Sequence, residues 1–235
     1  NEYNDSLYPT VYSFKYPKAG EANPIVNIYI CNLDHGSTTM VKVPKYYEYV
    51  PRVKWTGSSS LLSVQYMDRH QDTLVLALAD ASTGKATPVL TEGEKTYIDI
   101  NDALTFINDN KEFIWMSDAD GYTHLYRYSI NGKMINQITK GNWDVEAVKG
   151  INEKTHNIFY ISSETSPIDK DLYCINWDGK NKKKLSAMTG TNDATFSSNY
   201  NYYISTFTNI DEPGITTLNN AEGKQIRILE DNATL

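Results

Sequence analysis

Few residues in this sequence have the type and spacing to do chemistry. Asp99 and Asp102 stand close together in "YIDIND" (Tyr97–Asp102). Two neighbouring carboxyls can divide acid and base roles when their surroundings drive their pKa values apart, although exposed loop acids are the commoner case. "SDADGY" (Ser117–Tyr122) has the Asp-x-Asp-Gly look of a calcium loop. It lacks the further oxygen ligands and the closing Glu of such a loop, and Asp and Gly equally suit a tight hairpin turn. The histidines, at 35, 70, 124 and 156, include no pair at zinc-binding spacing. His124, between Tyr122 and Tyr126, reads as a hydrogen-bonded structural residue. The nearest run to a nucleophile elbow, "TGSSSLL" (Thr56–Leu62), lacks the second Gly and a following helical pattern; it reads as a loop. No P-loop or G-x-G-x-x-G is present, and "NWDV" (Asn142–Val145) has Trp-Asp without the Gly-His partner of a WD40 blade. The residues alone point to no catalytic group, no metal site and no cofactor.

The elements that would position these residues repeat. The turns "TGK", "NGK", "DGK" and "EGK" place glycines at 84, 132, 179 and 223, with spacings of 48, 47 and 44. Before each turn lies an apolar or aromatic run ("TLVLALAD", "HLYRYSI", "DLYCINW", "GITTLN"), and after each a short strand ("ATPVLTEG", "MINQITKG", "KKLS", "QIRILED"). Upstream of each pair is a further strand ("LLSVQYM", "EFIWMS", "NIFYISS", "NYYISTF"), and the linking segments "DVEAVKGI" and "ATFSSNY" supply a fourth. The short runs read as alternating, half-buried strands. A weaker copy opens the chain with "PIVNIYICN", "DHGS" and "TMVKVP". No segment carries a capped helical period. A repeat of about 45 residues with about four strands predicts a β-propeller blade. The expected fold is all-β: a partial β-propeller of about four to five blades, each of about four antiparallel strands, across residues 1–235.

Composition sets the outer bounds. The chain has 235 residues, 18 of them Tyr, which suits pleated, half-buried surfaces. The net charge is −7, and the one dense basic run is "KNKKK" (Lys180–Lys184) after a glycine. Nucleic-acid binders carry a basic face or stripe, so this run reads as a solvated turn and no nucleic-acid partner is expected. No window approaches the ~20 apolar residues of a membrane span. Cys31 and Cys174 lack metal or redox spacing and read as buried free thiols. Asn4-Asp5-Ser6 and Asn232-Ala233-Thr234 are glycosylation sequons. The opening "NEYNDSLYPT" has no Met, and the sequence reads as a piece of a longer protein.

Four runs are specific enough to suggest a family. "YPKAGEANPIVNIYICN" (Tyr16–Asn32), "FIWMSDADGYTHLYRYSINGK" (Phe113–Lys133), "QITKGNWDV" (Gln137–Val145) and "IRILEDNATL" (Ile226–Leu235) resemble, in order, the dipeptidyl peptidase IV family of serine peptidases, in a bacterial form. The resemblance implies an eight-bladed propeller that precedes a C-terminal α/β-hydrolase domain and funnels peptides to a Ser–Asp–His triad. It implies removal of N-terminal Xaa-Pro or Xaa-Ala dipeptides, no cofactor, and a periplasmic or secreted parent. This chain would be the later blades, ending where catalysis begins and inactive alone. The paired Glu that grips the substrate amino group has no match in Asn1–Tyr16. The Arg-Phe pair that faces the cleft in animal enzymes falls near Tyr97–Ile100, here Tyr-Ile-Asp-Ile, which makes Tyr97 and Asp99 the substrate-facing candidates. The alternatives are a stand-alone propeller that binds a partner protein, and the propeller of a related oligopeptidase. An open arc leaves strand edges bare, so self-association through the first or last blade is expected.

Overall fold

The computed structural model describes residues 2–3, 7–16, 18–100 and 102–234. The sequon Asn4-Asp5-Ser6 and Pro17 of the Y-P-K-A-G run lie outside the described residues. Two short ribbons come first: β1 (Glu2–Tyr3) with β2 (Thr10–Val11), and β3 (Tyr29–Cys31) with β4 (Thr38–Met40). Four four-stranded antiparallel sheets follow. The first holds β5 (Tyr49–Trp55), β6 (Leu61–Met67), β7 (Thr73–Asp80) and β8 (Ala86–Gly93). The second holds β9 (Thr105–Ile107), β10 (Glu112–Ser117), β11 (His124–Ser129) and β12 (Met134–Gln137). The third is β13 (Val145–Asn152), β14 (Asn157–Ser162), β15 (Asp171–Asn176) and β16 (Lys183–Lys184). The fourth is β17 (Thr191–Phe196), β18 (Tyr202–Thr208), β19 (Ile215–Asn220) and β20 (Gln225–Glu230). Every sheet pairs its strands in chain order, and no helix forms among the described residues.

These are propeller blades, and the repeat read from the glycines is their repeat. Gly84, Gly132, Gly179 and Gly223 each sit in the turn between the third and fourth strands, with φ of 69°, 85°, 83° and 85°. That left-handed backbone favours glycine. The turns close alike, through Asp80 N to Lys85 O, Ser129 N to Lys133 O, Asn176 N to Lys180 O and Asn220 N to Lys224 O. The opening copy is a correction of degree: "PIVNIYICN" and "TMVKVP" build the two-stranded β3–β4 ribbon rather than a full blade.

The core lies between the sheets rather than inside any one of them. Val64, Tyr66, Val75 and Ala77 pack against Ile30 and Val41 on the β3–β4 side. Met67, Leu74 and Leu76, from the opposite face of the same strands, pack against Phe113 and Trp115 of the second blade. Ile114 and Leu125 of the second blade meet Ile158 and Tyr160 of the third, and Phe159, Ile161 and Leu172 meet Ala194 and Tyr203 of the fourth. Alternate residues along β6, β10 and β14 therefore serve different neighbours. The half-buried alternation expected for these strands is corrected by this: middle strands are apolar on both faces because each face is covered. Each such side chain removed from water stabilises by about 1.5–3 kcal/mol.

The turn glycines also seal the joints between blades. A Cβ on Gly84 would stand 1.9 Å from Met40 O, and one on Gly132 would stand 1.6 Å from Val89 O. Both contacts fall on the outer strand of the preceding sheet. The backbone of Lys42 completes the first joint, its N–H donating to Gly84 O at 2.8 Å.

Candidate functional site

The motif residues of the sequence take mostly structural posts. "SDADGY" forms the β10–β11 hairpin turn, with Gly121 at φ 97° and its N–H on Asp118 O. "TGSSSLL" is the β5–β6 loop, where Ser58 and Ser60 hydrogen-bond each other and Gly57 N donates to Asn110 Oδ1. His124 is fully buried. One ring nitrogen, Nε2, lies 3.0 Å from Gly141 O and the other, Nδ1, 3.0 Å from Thr139 Oγ1. A carbonyl only accepts, so Nε2 donates to Gly141 O, while Nδ1 is bonded to the Thr139 hydroxyl. Both ring nitrogens are engaged by the protein itself, as in the structural reading. The basic run is committed to the protein itself: Lys182 pairs with Glu164, Lys183 caps Glu222 O, and Lys184 reaches Asp171 at 2.7 Å.

The cysteine expectation needs correction. Cys31 is exposed, because β3 belongs to a ribbon with one covered face, and Cys174 is partly buried. Burial pushes the Cys174 thiol up to about 11, which keeps it protonated and inert.

A cleft of about 580 Å³ lies between the second and third blades, bordered by the segment that joins β8 to β9. Six carboxylates line it: Glu92, Asp99, Asp102, Asp118, Asp144 and Glu146. No Lys or Arg is among the described residues of its wall. Asp102 is held by Arg52 at 2.5 Å, and this guanidinium keeps its carboxyl below the usual range. Glu146 pairs with Lys170 at 2.6 Å, and Asp144 accepts the Thr123 N–H at 2.7 Å. Glu92 sits deeper and is pushed up by burial, with Trp115 Nε1 and the Ser117 hydroxyl partly offsetting this. Asp99 and Asp118 complete the wall. The arrangement can concentrate cationic groups; it contains no nucleophile–base pair.

Of the two substrate-facing candidates, Asp99 lines this cleft and Tyr97 does not. Tyr97 is half-exposed on the same segment, whose next residue, Ile98, is buried and hydrogen-bonds Gln71 O through its N–H. Asp99 and Asp102 share the cleft, but Asp102 is bound to Arg52, so the two do not form an acid–base couple. Glu92, Asp118, Asp144 and Glu146 were not legible as site residues. They come from several strands and linkers, and no local spacing links them. Asp102 also lines two smaller cavities, one with Arg52 and Lys54 and the other with Thr105, Val148 and Ile151.

An all-β array of four-stranded antiparallel blades packed face to face defines a β-propeller. The family described as "Dipeptidyl peptidase IV (DPP IV) N-terminal region" matches residues 1–214, and the chain belongs to that family. The crystal structure of Porphyromonas gingivalis dipeptidyl peptidase 4 is similar with a TM-score of 0.89 and 36% identity, over 98% of this chain and 33% of that one. Inactive dipeptidyl peptidase 10 of Mus musculus is 27% identical over 83% of this chain and 26% of its own length. The probable dipeptidyl peptidase 4 of Aspergillus flavus is 24% identical over 96% of this chain and 31% of its own. The chain thus spans about a quarter to a third of the relatives it matches.

Proposed function

We propose that this chain is the gating wall of a dipeptidyl peptidase IV-like serine exopeptidase that removes Xaa-Pro or Xaa-Ala dipeptides. The acidic cleft beside Asp99 carries the reading. It includes Asp99, one of the two substrate-facing candidates suggested by the family resemblance, and its charge suits the free amino end and basic side chains of an incoming peptide. Blades tied through buried faces make a rigid funnel that admits extended chains and excludes folded ones. Acyl transfer by a Ser–His–Asp triad belongs to a hydrolase domain of the parent protein. The family resemblance alone supports a periplasmic or secreted parent. The fourth blade also turns Tyr202 and Ile204 to solvent, 49% and 43% exposed, on the face away from the third blade; we propose that a second copy of the chain covers it.

A second reading, a propeller that binds a partner without catalysis, is favoured by one observation: a relative matching over 83% of this chain bears the name inactive dipeptidyl peptidase 10. Chromophore release from a Gly-Pro substrate, by this chain and by its full reading frame in parallel, separates the two. Activity in the full protein alone supports the gate. Silence in both favours the binding propeller, and activity in this chain alone contradicts both readings.

A further inference from the structure

A second cavity, about 220 Å³, lies between the first and second blades, on the far side of Asp102 from the acidic cleft. It is below the size of a drug-like pocket and has a different chemistry. Gln65 and Ser63 of β6, Arg52 and Lys54 of β5, and Asp102 and Leu104 of the β8–β9 segment form its wall. The register pairs Arg52 with Gln65 and Lys54 with Ser63, so these four side chains share one face of the sheet. On that face the neighbouring Met67 belongs to the apolar joint between the blades. Polar residues at Gln65 and Ser63 interrupt the joint where apolar ones would extend it.

The polar groups are unevenly satisfied. Ser63 Oγ donates to Lys54 O at 2.6 Å. Arg52 is consumed by Asp102, through Nε at 2.5 Å and Nη2 at 3.3 Å, and by Pro51 O. Lys54 Nζ donates to Leu104 O at 2.5 Å, with two further N–H bonds to give. Gln65 is 3% exposed, yet its Oε1 has no hydrogen-bond partner. A buried acceptor without a donor is rare enough to need a cause. With Arg52 and Asp102 cancelling, the cavity keeps one net positive charge at Lys54 and one open acceptor at Gln65. The two residues are diagonal neighbours across the strand pair, about 7 Å apart.

We propose that this cavity binds a small carboxylate bearing an adjacent N–H. The carboxylate sits on Lys54 and the N–H donates to Gln65 Oε1. That is the chemistry of an N-acylated amino acid or of the last residue of a peptide. A free amine in place of the acylated nitrogen would bring a second cation beside Lys54. The inference stands whether or not the peptidase reading holds, since it uses neither the acidic cleft nor a hydrolase domain.

The test is an NMR titration of the 235-residue chain, following the Gln65 side-chain amide and Lys54 ε-methylene signals. The probes are N-acetylglycine, N-acetylglycinamide, tetraglycine and tetraglycine amide. N-acetylglycine is expected to shift both signals saturably, with a dissociation constant of about 1 mM, typical of so few heavy atoms. The glycinamide should bind at least about tenfold more weakly, the loss of one charge-assisted contact. Tetraglycine binding, with its amide silent, identifies a peptide end as the source; tetraglycine silent while N-acetylglycine binds identifies the free acylamino acid. Gln65→Leu should abolish binding, and so should Lys54→Met at an exposed side chain, with the dispersion of the remaining amide signals reporting whether the fold is intact. Absence of a saturable shift, equal affinity for acid and amide, or unchanged binding by Lys54→Met would overturn the proposal and leave the cavity to water.

Discussion

The indole Nε1 of Trp115 donates to Glu92 Oε1 at 2.9 Å, joining the fully buried heart of the second blade to the end of the first blade's outer strand. This bond places a half-buried carboxylate on the wall of the acidic cleft. Burial raises the Glu92 pKa above its ordinary 4.5, and Asp118 and Glu94 add to the rise. A raised folded pKa means that the contribution of Glu92 to stability is fully present below the unfolded value and is lost as pH rises through the folded one. Asp80 has the opposite sign. Hydrogen bonds from the Ser82 hydroxyl and from Thr83 hold it down to about 2, so its contribution is present above 3.8 and is lost as pH falls through about 2. Denaturant unfolding of wild type and Glu92→Gln across pH 4 to 7 should show the variant gaining on the wild type as pH rises. A constant difference would mean that Glu92 is not desolvated.

Two glycines with the same backbone strain should behave differently. Gly121 and Gly132 have φ of 97° and 85°. An added methyl at Gly121 meets nothing within 4 Å, whereas at Gly132 it meets Val89 O of the preceding blade. Gly121→Ala should cost about 1 kcal/mol, the dihedral penalty. Gly132→Ala should cost at least about 2 kcal/mol more, because the joint between blades must open. Equal losses by chemical denaturation would show that the joint is loose.

Arg127 and Glu112 face each other across β10 and β11 at 2.5 Å, with side chains only 15% and 14% exposed, and Arg127 also lies over the Trp177 ring of the third blade at 5.0 Å. Arg127→Met alone should destabilise by about 1–2 kcal/mol, since it leaves the partly buried Glu112 carboxylate with the Asn108 amide as its remaining hydrogen-bond partner. The double variant Glu112→Leu with Arg127→Met should recover most of that loss. A simply additive double variant would contradict the coupling.

Much of the fold was legible because the repeat is written in residues with no substitute. Gly84, Gly132, Gly179 and Gly223 all need a left-handed backbone, and an added Cβ at Gly84 or Gly132 would also collide with the sheet before it at 1.9 or 1.6 Å. The opening copy is the weaker one in the sequence, and among the described residues its β3 and β4 pair as a two-stranded ribbon. The cleft was hardly legible. Asp99 could be placed through family resemblance, but Glu92 and Glu146 enter the same wall from β8 and β13, and only the packing of three segments brings them together. Gln65 gave no signal at all, because an isolated polar residue in "LLSVQYM" looks like the solvent side of a strand until both faces prove to be covered.

The exposed Tyr202 and Ile204 face should make the chain self-associate. Sedimentation velocity over a concentration series is expected to show dimers, and Ile204→Lys is expected to return the chain to monomer. A monodisperse wild-type monomer at high concentration would contradict this.

The gate is tested most directly by kinetics of the full reading frame with the cleft neutralised: Asp99→Asn, Asp118→Asn and Glu146→Gln together. For a long basic peptide with proline second, KM should rise several-fold with kcat unchanged, and the effect should shrink in high salt. For the small Gly-Pro chromophore, which needs no steering, both constants should stay near wild type. If the long peptide is unaffected, or if both substrates lose kcat alike, the cleft does not guide substrate and the account of this propeller as a gate is wrong.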